Sequence, residues 1–163
     1  MSKYHRNAGF TTRSCILALS AALVLYACDD PTGPGADLAK ARRQWQAAGL
    51  MDYRFTLSHG CDACGPALFG PVVIEVHRGD VTMRQYARTG EPVPANITSS
   101  FPNIEGLFGF IIAELEGGAE SVSVDYDLLL GYPVRISIDR VRRAVDDEEG
   151  YTVTEFTVLT PVR

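Results

Sequence analysis

Apolar and polar residues alternate with a period of two in several short stretches of this chain. In DYRFTLSH, Tyr53, Phe55 and Leu57 alternate with polar residues. Successive side chains of a β-strand point to opposite faces, so this period predicts strands with one buried face. Further strands are predicted in PVVIEVHRGDVTMRQY (two strands and a turn), ESVSVDYD, YPVRISID and YTVTEFTVL. The alternation of the last stretch is irregular, which predicts a β-bulge there.

Two amphipathic helices occupy corresponding places before the strands. The first is predicted from about Asp37 to Ala48, with Asp37 as its cap and Gly49 at its end. Its apolar stripe consists of Leu38, Ala41, Trp45 and Ala48. The second is capped by Asn103 and ends at Gly117 or Gly118. Its apolar stripe consists of Ile104, Leu107, Phe108, Ile111 and Leu115.

The order of these elements predicts an α+β fold. One helix precedes three strands, and the pattern occurs twice, as αβββ-αβββ. Strands joined by short turns pair antiparallel, and amphipathic helices cover the apolar side of such a sheet. We therefore expect one antiparallel sheet of about six strands with both helices on one face.

The opposite face of this sheet is expected to be polar and wet. Its predicted members are Arg54, Thr56, Ser121, Ser123, Asp125, Arg135, Ser137 and Asp139. Asp125 and Asp139 are expected to form cross-strand salt bridges with Arg135 or Arg54 rather than to act as a catalytic pair. A broad polar surface without a deep cleft favours binding over catalysis.

The N-terminus carries the features of an export signal. Lys3, Arg6 and Arg13 precede the apolar run CILALSAALVLY, which is shorter than the roughly 20 residues that a transmembrane helix needs. The run ends in LYAC, which resembles the bacterial lipobox, Leu-x-Ala/Gly-Cys, whose cysteine is lipidated. Cys28 is therefore the predicted lipidation site. The alternative is an ordinary secreted protein cut near Ala27.

This interpretation divides the chain and places the protein in the cell. Residues 1–27 are expected to be a lipoprotein signal peptide, 28–36 a flexible tether and 37–163 a single domain. The protein is expected to be exported and anchored to a bacterial membrane, on its periplasmic or outer face, by acyl chains such as palmitate. An envelope protein is the other expected partner. The net charge of −5 is unlike that of nucleic-acid-binding proteins, and no nucleic acid is expected.

Cys61 and Cys64 are the two thiols that remain when Cys15 leaves with the signal and Cys28 is acylated. In an oxidising compartment they are expected to form a disulfide. A redox couple is the first alternative, although no helix follows Cys64 to lower a thiol pKa. A metal site made of His59, Cys61 and Cys64 is the second, and it lacks a fourth protein ligand. No cofactor is expected.

Other short motifs are interpreted structurally. Arg78-Gly79-Asp80 lies between two strand patterns and is predicted to be a hairpin turn, and the acidic run Asp146–Glu149 is predicted to be a solvated loop. The chain has no phosphate loop, nucleotide fingerprint, serine elbow or HExxH motif. We therefore expect no enzymatic activity.

An ordered set of segments resembles a known family. The set comprises W…GL.DYRFTL, a short loop with cysteines, GPVVIEVHRGDV, TGEPVP, NIEGLFGFI, GYPVRISID and DDEEGYTV. Together, over about Leu38 to Val158, they resemble bacterial lipoproteins grouped as domain of unknown function 6174. The resemblance implies a small secreted or lipid-anchored domain and implies no particular activity.

Two functional hypotheses follow from these observations. The first is a lipid-anchored envelope domain that binds a partner, or has a structural role, without catalysis. The second is a thiol redox or metal-binding lipoprotein that uses Cys61 and Cys64, with His59 as a further candidate ligand.

Overall fold

The computed structural model describes residues 33–61, 65, 68, 70–140 and 148–160. The predicted signal peptide, Cys28, Cys64 and the first two residues of the acidic run, Asp146 and Asp147, lie outside the described residues. The elements, in chain order, are α1 (Pro34–Ala48), β1 (Tyr53–Cys61), β2 (Val72–His77), β3 (Asp80–Tyr86), a 3₁₀ helix (Ala95–Ser100), α2 (Ile104–Gly117), β4 (Ser121–Tyr126), β5 (Pro133–Asp139) and β6 (Glu149–Val158). Within this part of the chain, no helix is both long and apolar enough to span a bilayer.

The strands form one six-stranded sheet in the order β3-β2-β1-β6-β5-β4. Every neighbouring pair is antiparallel. The predicted α+β class and the αβββ-αβββ order are therefore confirmed. The two halves of the chain meet at the centre of the sheet, where β1 pairs with β6 over the register Tyr53↔Val158 to Cys61↔Glu149.

One core lies between the helices and the inward face of the sheet. Phe55, Leu57 and Ile74 from the strands and Leu107 and Phe108 from α2 are fully buried. Trp45 of α1 packs edge-on against Tyr53, with ring centroids 5.3 Å apart. Its indole nitrogen donates a hydrogen bond of 2.9 Å to Glu105, which satisfies the polar atom of an otherwise apolar side chain.

Helix α1 begins earlier than predicted. Gly33 is its N-cap, Pro34 opens the first turn, and Asp37 lies within that turn instead of capping it. A proline suits this position because its fixed φ is helical and its missing N–H has no helical partner there. The end of the predicted tether, residues 34–36, is thus helical. The predicted end of α1 is confirmed, because Gly49 adopts a left-handed conformation as the C-cap.

The start of α2 is fixed to the β2–β3 turn through Asn103. As predicted, Asn103 caps the helix, and its side-chain oxygen accepts a hydrogen bond of 2.9 Å from the N–H of Gly106. Its amide group donates to the carbonyl of Gly79 at 3.2 Å. Gly79 belongs to the predicted hairpin turn, in which Arg78 and Gly79 both have positive φ, 53° and 86°. The segment before α2 contains the 3₁₀ helix.

Strand β6 contains the expected bulge. Its register with β1 shifts between Arg54 and Thr56, and Glu155 at this point has a φ of 53°. A bulge places one extra residue on one strand and changes the direction of its side chain. Here Glu155 joins the polar face of the sheet, while Phe156 stacks on Tyr53 in the core.

Candidate functional site

The face of the sheet that is turned away from the core, which we call the open face, contains the residues predicted to be wet. Directly paired residues of antiparallel strands share a face, and the register pairs Asp125 with Arg135 and Ser123 with Ser137. The exposed members are Arg54, Ser121, Ser123, Asp125, Arg135 and Ser137, with Asp139 half-buried. Thr56 differs from the prediction, because it is only 6% exposed.

The two arginines of the open face lack the salt bridges that the sequence led us to expect. Arg135 lies directly across from Asp125, and Arg54 lies across from Glu75. Among the described residues, neither guanidinium has a carboxylate within 4.0 Å. The prediction of cross-strand ion pairs was therefore wrong, and the open face has two positive charges without an anionic partner in the described chain.

The bulge creates a depression in the open face beside Arg54. This bulge depression has a volume of about 420 Å³, and it is lined by Arg54, Phe55, Thr56, Val73, Glu155 and Thr157. The hydroxyl of Thr56 donates a hydrogen bond of 2.7 Å to the carboxylate of Glu155. This hydrogen bond from a buried side chain fixes the position of the Glu155 carboxylate in the lining of the depression.

Glu75, the cross-strand neighbour of Arg54, makes its hydrogen bond to a histidine instead. The Nε2 atom of His77 lies 2.8 Å from Glu75, and Nδ1 lies 3.1 Å from Asp52. The hydrogen bond to Glu75, and then the one to Asp52, raises the pKa of His77 above its ordinary value. The two carboxylates next to Arg54 are thus both hydrogen-bonded to other residues. Glu75 is bonded to His77, and Glu155 accepts a hydrogen bond from Thr56.

The residues proposed around the cysteines occupy the other face, at the end of β1. His59 is buried, stacks on Tyr151 with centroids 4.4 Å apart, and has its Nε2 atom 2.8 Å from Glu149. Its Nδ1 atom is buried without a hydrogen-bond partner in the described structure. Cys61 lies across from Glu149 in the register. Cys64 lies outside the described residues, so the disulfide stays a prediction.

Glu149 belongs to a charged network that the sequence did not predict. It opens β6, and Arg140 donates hydrogen bonds to both Glu149 and Glu114. Burial alone would raise the pKa of Glu149, but the hydrogen bonds from Arg140 and His59 outweigh it and hold the pKa below its usual value. The prediction of a solvated loop was wrong for this residue. No three His, Cys, Asp or Glu side chains of the described chain are grouped to hold a metal ion.

The sequence indicated the position of Glu155 more clearly than that of Glu149. Glu155 was marked by the broken alternation TVTEFTVL, which predicted the bulge without indicating the direction of the side chain. The partners of Glu149 had no local signal, because His59 is 90 residues away along the chain.

Comparison with known proteins adds the family and nothing closer. A family model described as Family of unknown function (DUF6174) matches residues 37–158. No curated protein and no solved structure matches the chain significantly.

Proposed function

Because the chain belongs to the DUF6174 family, whose description assigns no function, we propose its role from its own residues: a lipid-anchored, non-enzymatic binding domain of the bacterial envelope. Its binding surface is the open face of the sheet. The observation that carries the proposal is a broad polar face, left uncovered by both helices, on which Arg54 and Arg135 have no carboxylate partner in the described residues.

Unpaired arginines on a rigid sheet are suited to recognition. A guanidinium presents five donors in a fixed planar arrangement that matches carboxylates and phosphates. When both arginines are held on regular strands, the loss of side-chain freedom on binding is smaller than it would be on a loop.

Lipid anchoring is supported by the sequence LYAC at Leu25–Cys28. We expect Cys28→Ser to abolish metabolic labelling with a palmitate analogue and to move the protein from the membrane to the soluble fraction. The parent chain, expressed in parallel, is the control. Equal labelling of the variant and the parent would contradict the lipid anchor and would leave the binding surface to be tested separately.

The binding surface is tested by photo-crosslinking in cells. A photoreactive amino acid at Ser123 or Ser137 lies on the open face, and one at Arg43 or Gln46 lies on the exposed side of α1. We expect a discrete adduct from both open-face positions and none from α1. The adduct should disappear in each of three variants: Arg135→Gln, Arg54→Gln and the double variant. Equal crosslinking from α1 would refute the open face as the binding surface.

A second candidate function is thiol redox or metal chemistry at Cys61 and Cys64. The buried Nδ1 atom of His59, which has no hydrogen-bond partner in the described structure, favours it, because His59 precedes Cys61 by two residues and so lies on the same side of β1. Thiol titration before and after reduction separates the alternatives. Resistance to mild reductant indicates a structural bridge, exchange with a thiol partner indicates redox work, and stoichiometric metal in the mass spectrum indicates a metal site.

A further inference from the structure

We propose that the bulge depression binds a zwitterionic peptide or amino acid, with Arg54 receiving the carboxylate and Glu155 the ammonium group. This inference rests on the proposed function, since it specifies the ligand class for one part of the open face. It is carried by a cation and a carboxylate that line the same depression and that form no ion pair within the described chain.

Arg54 is the anion receptor of the depression. It is exposed on the open face, and its register neighbours are Glu75 on β2 and Thr157 on β6. The carboxylate of Glu75 is bonded to His77 at 2.8 Å, and no described carboxylate lies within ion-pair distance of Arg54. Its guanidinium can therefore bind an incoming carboxylate without first breaking a salt bridge.

Glu155 is the cation receptor. Its carboxylate accepts the hydrogen bond from Thr56, and no cation of the described chain lies within ion-pair distance. A carboxylate has about four acceptor positions, so acceptor positions remain after the bond from Thr56. The bond from a buried residue fixes the direction of the carboxylate before any ligand arrives.

The surrounding charges select a zwitterion over a simple anion. Glu75 and Glu155 both neighbour Arg54, and Asp52 adds a third carboxylate on the far side of His77. A phosphate or a dicarboxylate at Arg54 would meet their like charge, which disfavours binding. A ligand that carries its own ammonium group turns the repulsion at Glu155 into attraction. Val73, which is half-buried in the lining, offers an apolar contact for the methylene groups between the two charges.

The backbone at Glu155 adds an independent reason to assign it a role. A φ of 53° is strained for a residue with a side chain, and glycine adopts it without strain. Strained residues of this kind are found at ligand sites, where the side chain is needed in that position. The bulge would form with glycine, but glycine would leave the depression without its carboxylate.

Calorimetric titration of the purified protein with three matched peptides tests the assignment. The probe is acetyl-Ala-Ala-Lys with a free carboxyl terminus, which has one carboxylate and one ammonium group. Its C-terminal amide has only the ammonium group, and its Nζ-acetyl form has only the carboxylate. We expect the zwitterion to bind at least about tenfold more tightly than the amide or the Nζ-acetyl peptide. The loss of one charge-assisted hydrogen bond is enough to account for a difference of this size. A smaller ratio, or stronger binding of inorganic phosphate, would overturn the proposal.

Variants locate the site within the open face. Arg54→Gln and Glu155→Gln should each weaken binding of the zwitterion at least about tenfold. Arg43→Gln is the matched control, because Arg43 is an exposed arginine of α1 that lies outside the open face, and the affinity of this variant should not change. Glu155→Gly is the second variant at the bulge: it relieves the backbone strain, so loss of binding in a folded protein reports the missing carboxylate. Equal effects of Arg54→Gln and Arg43→Gln would refute the site.

Failure of this inference is distinguishable from failure of the proposed function. If Ser123 and Ser137 crosslink and the three peptides bind alike, the open face remains the binding surface and the zwitterion site is wrong. If the zwitterion binds through Arg54 and Glu155 while the open face yields no adduct, the site stands and the envelope partner is wrong.

Discussion

At the scale of single residues, the structure ties conformation to charge at Glu155. A non-glycine residue in the left-handed region costs about 1–2 kcal/mol, whereas in an extended strand glycine is the less stable choice by roughly 0.5–1 kcal/mol. The φ of 53° at Glu155 should therefore reverse the usual ranking of alanine and glycine at this position.

We expect Glu155→Gly to be more stable than Glu155→Ala by about 1 kcal/mol. Both variants lack the carboxylate, so the hydrogen bond from Thr56 cancels in the comparison. The free energy of unfolding in urea measures the difference. The control is the same pair of substitutions, to glycine and to alanine, at Thr157, an exposed position of β6. There the alanine variant should have the higher free energy of unfolding. An alanine advantage at both positions would contradict the left-handed backbone.

His77 gives a pH dependence of known sign. Its pKa is raised above the ordinary 6.5 by its hydrogen bond to Glu75 and then by that to Asp52. The stability contributed by these bonds is fully present below pH 6.5 and is lost as the pH rises through the folded pKa. An NMR titration should show Glu75→Gln lowering the pKa of His77 more than Asp52→Asn does, and His77→Gln should remove this part of the pH dependence. A pKa that neither variant moves would contradict both contacts.

At the scale of elements, helix α2 contains two glycines with opposite surroundings. A Cβ atom on Gly106 would lie 2.6 Å from the Cβ of Pro102, whereas one on Gly109 would meet nothing within 4 Å. Glycine inside a helix is about 1 kcal/mol less stable than alanine when nothing else intervenes.

Gly109→Ala should therefore raise the free energy of unfolding by about 0.5–1 kcal/mol. Gly106→Ala should lower it, because Pro102 precedes the capping residue and cannot move without disturbing Asn103. Urea denaturation of both variants, with the parent as reference, measures the two signs. Stabilisation by both substitutions would show that the helix start tolerates a side chain at residue 106.

The elements also show how far sequence reasoning reaches. Period-two alternation identified the inward side chains of β1 and β2, because it reports which face is buried, and Asn103 was recognisable as a cap from its position before an apolar stripe. The start of α1 was missed, since Pro34 was interpreted as part of a tether when it opens the helix. The ion pairs of Asp125 and Asp139 with Arg54 or Arg135 were predicted from cross-strand proximity. Asp125 and Arg135 do lie directly across from each other but form no ion pair.

At the scale of the whole molecule, the two halves of the chain depend on one another through β1 and β6. Thr56 and Glu155, 99 residues apart, are bonded across this pair, and β6 also pairs with β5. No local pattern in the sequence indicates which strands pair with each other. The strand order could therefore not be predicted, although the fold class could.

A chain that stops before Glu149 should fail to fold. It loses the buried side chains of Tyr151 and Val153, each worth about 1.5–3 kcal/mol, and part of the burial of Phe156. The typical stability of a domain is only about 5–15 kcal/mol. Circular dichroism and amide NMR dispersion should both report an unfolded chain. A synthetic peptide of residues 149–160 added in trans should restore the folded spectrum. A folded truncated chain would show that β5 and β1 are stable without β6.

The central position of β6 has a consequence for the timing of biogenesis. A polypeptide emerges from the ribosome with its N-terminus first, so β1, β2 and β3 are released before β6, which pairs with β1. During that interval one side of β1 has unsatisfied amide groups and an apolar surface, which are the features that holdase chaperones recognise. The domain is thus expected to mature only after β6 has been released, and to require protection from self-association until then.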